Sequence, residues 1–219
     1  MTKADAGASQ PNNAPEPDDS LSLSGMDVRP GDHVCAFYRD ASERDAIVVP
    51  FLLDGLKAGD KCTYVVDGCE PQQVVGQFDA EAPTDDYLLR GQLEVLDSAS
   101  TYLADGEFLP ERMLAFWEER AQASLGADYA FCRNAGDMSW AHSTPFDVSL
   151  LTSYEAELNR FIPRHPQVNL CLYDVSRCPG ELVLDVLKTH PKVLLGRMVL
   201  ENPYYLQPDQ FMAAQRGPG

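Results

Sequence analysis

The feature that most constrains this chain is an alternation. Short runs rich in β-branched and aromatic residues are separated by helical stretches, most of them ten residues or longer. HVCAFY, KCTYVVD, QLEVLDS, VNLCLYD and KVLLGRMVL read as strands, and DYAFC reads as a strand that runs into the loop RNAGDMSW. Between them lie ASERDAIVVPFLLDGLKAGD, EPQQVVGQF, PERMLAFWEERAQASL, SLLTSYEAELNRFI and GELVLDVLKTHP, which read as helices. A hairpin can join only antiparallel neighbours, whereas a helix-length crossover is what parallel strands require. The expectation is therefore an α/β fold with three layers, a mainly parallel sheet flanked by helices.

Local signals refine this outline. Ser42, with Asp45 three residues later, is expected to open the first helix; Pro50 should kink it and Gly59 should end it. Leu151, Tyr154, Leu158 and Phe161 form one apolar stripe on a later helix. Residues 1–26 are rich in Ala, Pro, Asn, Asp and Ser and hold no aromatic residue, so they are expected to be a disordered tail. The folded domain is expected over 27–206, and 207–219 is expected to be a second flexible tail.

Charge and cysteine usage exclude several function classes. Lys and Arg total 17 against 34 Asp and Glu, a net charge of −17, which opposes direct contact with nucleic acid or an anionic membrane. The six cysteines stand singly, with no CxxC pair, and the first residues carry no apolar secretory core. Reduced thiols in a cytoplasmic protein are the expectation.

In open α/β sheets ligands bind beyond the carboxyl ends of the strands. The expected edge comprises Tyr38, Asp67, Asp97, the RNAGDMSW loop and Asp174. His33 and Cys35, two apart on one strand, share a face and are assigned to this edge together with Tyr38. The first strand does not lead into a phosphate-binding loop: YRDASERD has neither glycine nor lysine. Asp174 stands where a Walker B acid would, with no phosphate loop to serve, and otherwise caps its loop at Ser176. No nucleotide hydrolysis is expected, and no cofactor is specified.

His33 and Cys35 are the pair to consider for a metal, with Cys171 or His142 as a third donor, but nothing has zinc-ligand spacing. GDMSW is not a nucleophile elbow, so Ser139 is no catalytic serine. Asp137 and Trp140 either line a pocket or cap a turn and close the core. Each lone cysteine, Cys171 included, is either a ligand contact or a small buried hydrophobe. His190, before Pro191, is expected to cap helix carbonyls.

In order along residues 31–206, GDHVCAFY, VPFLLDGLKAGDKCTYVVD, GDMSW, YEAELN, CLYDVSRCPG, THPKVLLG and ENPYY resemble the MEDS family, the methanogen/methylotroph DcmR-type sensory domain. That resemblance implies a RecA/KaiC-like core without its phosphate loop, acting as a non-enzymatic sensor of small molecules, simple hydrocarbon derivatives among them. It also implies ligand contact by His33 and Cys35. Relatives are often joined to histidine-kinase-like or DNA-binding outputs. No output domain is expected here, so the signal would pass to a separate kinase, anti-sigma or transcription factor. Taken together, the expected ligand-binding residues are His33, Cys35, Tyr38, Asp137, Trp140, Cys171 and Asp174. The alternatives are a divergent KaiC-like ATPase or metal- or thiol-dependent enzyme, and an interaction module dimerising through KVLLGRMVL.

Overall fold

The computed structural model describes residues 21–22, 27–142, 147–196 and 198–215. A short antiparallel ladder, β1 (Leu21–Ser22) with β2 (Asp27–Val28), precedes the main sheet. Leu21 and Ser22 are thus strand-paired, although they fall in the stretch expected to be a disordered tail; the rest of 1–26 lies outside the described residues.

The main elements, in chain order, are β3 (His33–Tyr38), α1 (Ala41–Ala58), β4 (Lys61–Val66), α2 (Pro71–Glu81), α3 (Asp85–Leu89), β5 (Leu93–Asp97), α4 (Pro110–Gly126), β6 (Cys132–Asp137), α5 (Val148–Phe161), β7 (Gln167–Asp174), α6 (Gly180–Thr189), β8 (Lys192–Leu195), β9 (Met198–Glu201) and α7 (Pro208–Gln215). The seven-stranded sheet runs β5-β4-β6-β7-β3-β8-β9. Every pairing is parallel except the terminal β8–β9 pair. The expected three-layer fold is present.

Two cores arise from strand alternation. One face of β3 sends Val34, Ala36 and Tyr38 into a cluster with Val48, Leu52 and Leu56 of α1 and Val74 and Phe78 of α2. The other sends Cys35 into a cluster with Trp117 of α4, Tyr154 and Leu158 of α5, and Val186 of α6. The stripe Leu151, Tyr154, Leu158 and Phe161 is buried there, as its spacing predicts.

Four local expectations are corrected. Asp40, not Ser42, caps α1: its backbone is extended and its side chain accepts from Glu43 N at 2.9 Å. The start moves because Asp-Ala-Ser-Glu supplies both a cap and an acid three residues on. Arg133 and Asn134 lie within β6 rather than in a loop, paired in register with Cys62 and Thr63. KVLLGRMVL is a hairpin rather than one strand, turning at Gly196, whose φ of 62° is left-handed. The segment from 207, expected to be a flexible tail, forms α7, whose Phe211 is buried.

Candidate functional site

One aspartate stands at the carboxyl end of each of the five parallel strands β3 to β7. Asp97, Asp137 and Asp174 close β5, β6 and β7, Asp67 follows β4, and Asp40 follows β3 by two residues. Each is occupied locally. Asp40 caps α1. Asp67 accepts from Ser139 Oγ at 2.9 Å and also from Ser98 Oγ. Asp97 holds Ser100 N at 2.8 Å. Asp174 takes Ser176 N at 3.0 Å and Ser176 Oγ at 2.6 Å, the turn-capping role considered for it.

Asp137 is wholly buried and carries the densest set of contacts. Its Oδ1 accepts from Tyr38 Oη at 2.9 Å and Ser139 N at 3.0 Å, and its Oδ2 pairs with Arg44 Nη1 at 3.1 Å. Burial raises its carboxyl above the ordinary value despite the donors from Ser139, Arg44 and Tyr38. Burial first, then the Asp137 charge, raises the Tyr38 phenol. Arg44, in the first turn of α1, is thereby fixed just beyond the β3–α1 connection. The β3–α1 connection is two residues, Arg39 and Asp40.

His33 and Cys35 are not at this edge. His33 is the first residue of β3, so the pair sits toward the amino end of the strand, and Tyr38, an odd number of positions away, points through the opposite face. The structure therefore splits the expected site in two. Tyr38, Asp137 and Asp174 belong to the carboxyl edge. His33, Cys35 and Cys171 belong to the layer between the sheet and α5–α6. Trp140 goes to that inner layer too, stacked on Tyr102 at 5.2 Å between ring centres and tilted on Phe108 at 4.8 Å; it closes the core. His142 stands apart, with Nε2 at 3.4 Å from Cys178 Sγ.

The inner polar cluster is built by four elements. Parallel register sets His33 against Asn169 and Cys35 against Cys171. The β7 alternation then turns Cys171 and Tyr173 toward α5, which supplies Glu155 from within its apolar stripe. His190 caps the end of α6, its Nδ1 2.8 Å from Val186 O, so the capping expectation holds for that nitrogen. Its ring also lies 4.0 Å from that of His33.

Tyr173 Oη donates to Glu155 Oε1 at 2.7 Å. Glu155 Oε2 is 3.2 Å from His33 Nε2, 3.5 Å from His190 Nε2 and 3.8 Å from Cys171 Sγ, and His33 Nε2 is 3.3 Å from Cys171 Sγ. All four residues are buried.

This enclosure sets the electrostatics. Burial, with His33 adding to it, pushes the His190 imidazole down to about 3, so it is neutral. Burial pushes the Cys171 thiol well up, and the Glu155 charge adds to it; burial does the same for Cys35. For Glu155 burial acts upward, but the bond from His33 and the neighbouring imidazoles outweigh it, holding the carboxyl below its ordinary value.

Glu155 and Asn159 fall in the stretch YEAELN that carries part of the family resemblance, but the sequence assigns neither of them a role in the site. Their signal was present: Glu155 is four residues after Leu151 and three before Leu158, a carboxylate set inside a buried stripe.

Two solved structures share the fold. An uncharacterised protein from Pyrococcus horikoshii, solved with an unknown peptide, aligns with a TM-score of 0.61 and 15% identity over 80% of this chain and 83% of that one. The flagellar accessory protein FlaH from Methanocaldococcus jannaschii aligns at 0.50 and 9% identity, over 77% and 75%. The fold is RecA-type. In sequence, the chain is 30% identical over 176 residues to the transcriptional repressor DcmR of Methylorubrum extorquens, covering 77% of this chain and 61% of the repressor. It thus spans about three-fifths of that relative's length. The family model for the MEthanogen/methylotroph, DcmR Sensory domain matches residues 32–191, and the chain belongs to the MEDS family.

Proposed function

We propose that this chain is a non-enzymatic sensory domain of the cytoplasm that binds a small, mostly apolar organic molecule in its inner layer and passes the signal to a regulatory output. Membership of the MEDS family and the likeness to a transcriptional repressor support the sensory, regulatory part of this reading.

The sensory reading is carried by membership of the MEDS family. Its proposed place is around a cavity of about 10 Å³ between the sheet and α4–α5, lined among others by Tyr102, Trp117, Gly136, Tyr154, Leu158 and Cys171. This cavity is walled by aromatic rings and touches the polar cluster through Cys171, the mixture by which small organic ligands are held and oriented. At that volume it holds about one water, so a ligand of several heavy atoms requires the lining to open, and Tyr102, on the turn at 98–103, is the lining residue we propose moves.

The carboxyl edge argues against nucleotide chemistry. Five aspartates face that edge, a two-residue β3–α1 connection replaces a phosphate loop, and Asp40 already occupies an amide of α1. Among the described residues no helix is long and apolar enough to cross a membrane.

The test is thermal shift of the full chain against short-chain alcohols, ketones and halogenated hydrocarbons. A saturable rise in Tm that Tyr102→Ala alters, and that His33→Ala with Cys35→Ala weakens, is expected. A response unchanged in all these variants removes the inner-layer assignment. ATP turnover that is lost in Asp174→Ala would instead establish the ATPase alternative.

A further inference from the structure

We propose that His33 Nε2, His190 Nε2, Glu155 Oε2 and Cys171 Sγ form a buried four-coordinate site for a divalent transition metal of the zinc class. The inference goes beyond ligand sensing and stands on donor geometry alone. The four atoms all lie within 4.8 Å of one another. Four of the six pairs lie at 3.2 Å (His33 to Glu155), 3.3 Å (His33 to Cys171), 3.5 Å (His190 to Glu155) and 3.8 Å (Cys171 to Glu155). A tetrahedral zinc ion with bonds of about 2.0–2.3 Å sets neighbouring donors roughly 3.3–3.6 Å apart. Four of the six donor pairs, at 3.2–3.8 Å, lie within a few tenths of an ångström of those dimensions, and the other two, within 4.8 Å, would draw in on binding.

The surrounding hydrogen bonds fix which nitrogen faces the centre. Asn159 Nδ2 donates to the carbonyls of Glu155 at 3.0 Å and Thr189 at 2.7 Å, which fixes its amide orientation. Its Oδ1 is therefore the acceptor 3.1 Å from His33 Nδ1, and His33 Nδ1 carries the proton. His190 Nδ1 faces Val186 O, an acceptor only, at 2.8 Å, so it also carries the proton.

With both imidazoles neutral, their Nε2 lone pairs converge on a carboxylate oxygen that has its own. A second proton on His33, at Nε2, is the metal-free way to satisfy the 3.2 Å contact with Glu155. His190 Nε2 makes no hydrogen bond although it is wholly buried. Three lone-pair donors meeting without a positive centre is an unfavourable arrangement in a dry interior. A cation between them resolves all three, and outer hydrogen bonds of this kind are what hold metal-ligating histidines. Tyr173 does the same for Glu155 by occupying Oε1.

The donor set selects the ion. Two imidazoles, one carboxylate and one thiolate suit zinc, cobalt(II) or iron(II) rather than magnesium or calcium, which prefer oxygen. On binding, the metal–Sγ bond forms as the Cys171 thiol proton leaves to solvent. The resulting charges, one thiolate and one carboxylate against a dication, cancel, as a buried site requires.

The deciding experiment is Co²⁺ titration of the full chain after treatment with chelator and reductant. One Co²⁺ per chain is expected, with the intense visible bands of tetrahedral coordination and a near-ultraviolet sulfur-to-cobalt charge-transfer band, all displaced by Zn²⁺. Cys171→Ser should abolish the charge-transfer band. Asn159→Ala should weaken Co²⁺ binding roughly 10–100-fold, the usual effect of removing an outer-shell partner. Cys178→Ser should change nothing. A metal-free wild-type chain with native circular dichroism that binds neither Co²⁺ nor Zn²⁺ at micromolar concentration overturns the proposal and leaves a His33–Glu155 ion pair in its place. A charge-transfer band that survives in Cys171→Ser overturns it too. Neither result bears on the organic-ligand screen, which is scored on uptake of a different probe.

Discussion

The buried charges divide into pairs that stabilise only as pairs. Asp137 balances Arg44, and both are enclosed. Removing one partner leaves the other charged and dry, so Asp137→Ala should lower stability by about 3–5 kcal/mol in chemical denaturation. Replacing Tyr38 by Phe, which removes one neutral donor, should cost about 1 kcal/mol.

His190 sets a pH dependence of definite sign. It faces His33 from β3, Glu155 from α5, and Cys171 and Tyr173 from β7. Its folded-state value near 3 lies below the ordinary 6.5. Between those limits the unfolded chain binds a proton that the folded chain refuses. Stability of chelator-treated protein should thus fall as pH drops from about 6.5 toward 3, by up to about 1.4 kcal/mol per pH unit. Urea midpoints across that range measure it, and His190→Gln should flatten this part of the profile.

At the scale of elements, close approach and terminal packing are the sensitive points. Gly55 lets α1 lie against β6: a Cβ there would stand 2.6 Å from Arg133 Cδ and 2.9 Å from Cys62 Sγ. Arg133 is itself pinned by Asp60 at 2.8 Å and Phe51 O at 3.0 Å, so it cannot yield cheaply. Gly55→Ala should therefore destabilise by about 1–3 kcal/mol, read as a lower Tm. Phe211 anchors α7 in the same way, and Phe211→Ala should cost about 3 kcal/mol. That helix was not legible in the sequence, which reads there as a flexible tail. PDQFMAAQ is short and weakly patterned, and its order comes from the burial of Pro208 and Phe211 rather than from propensity. The long elements were legible because their periodicity and burial agree, as in the α5 stripe. The register of β6 was not, since CRNAGD carries no strand pattern and is held by buried neighbours on both sides.

For the whole molecule, the net charge of −17 works against compactness. Screening should relieve that repulsion, so Tm should rise between low salt and about 0.15 M salt, where the Debye length is about 8 Å. A fall over that range would mean that local ion pairs outweigh the global field.

The sequence by itself determined the α/β class, the crossovers, the parallel sheet and the missing phosphate loop, because these depend on period, length and residue type within short windows. It also marked His33, Cys35, Cys171 and Asp137 as unusual. Only the tertiary structure decided where they went. Strand polarity put His33 at the amino end of β3, and side-chain alternation sent Tyr38 to the opposite face, dividing one expected site into a carboxyl-edge network and an inner cluster. The cluster joins residues 33, 155, 171 and 190. Those separations encode no local pattern; they meet because a parallel sheet and its crossover helices bring distant segments into register.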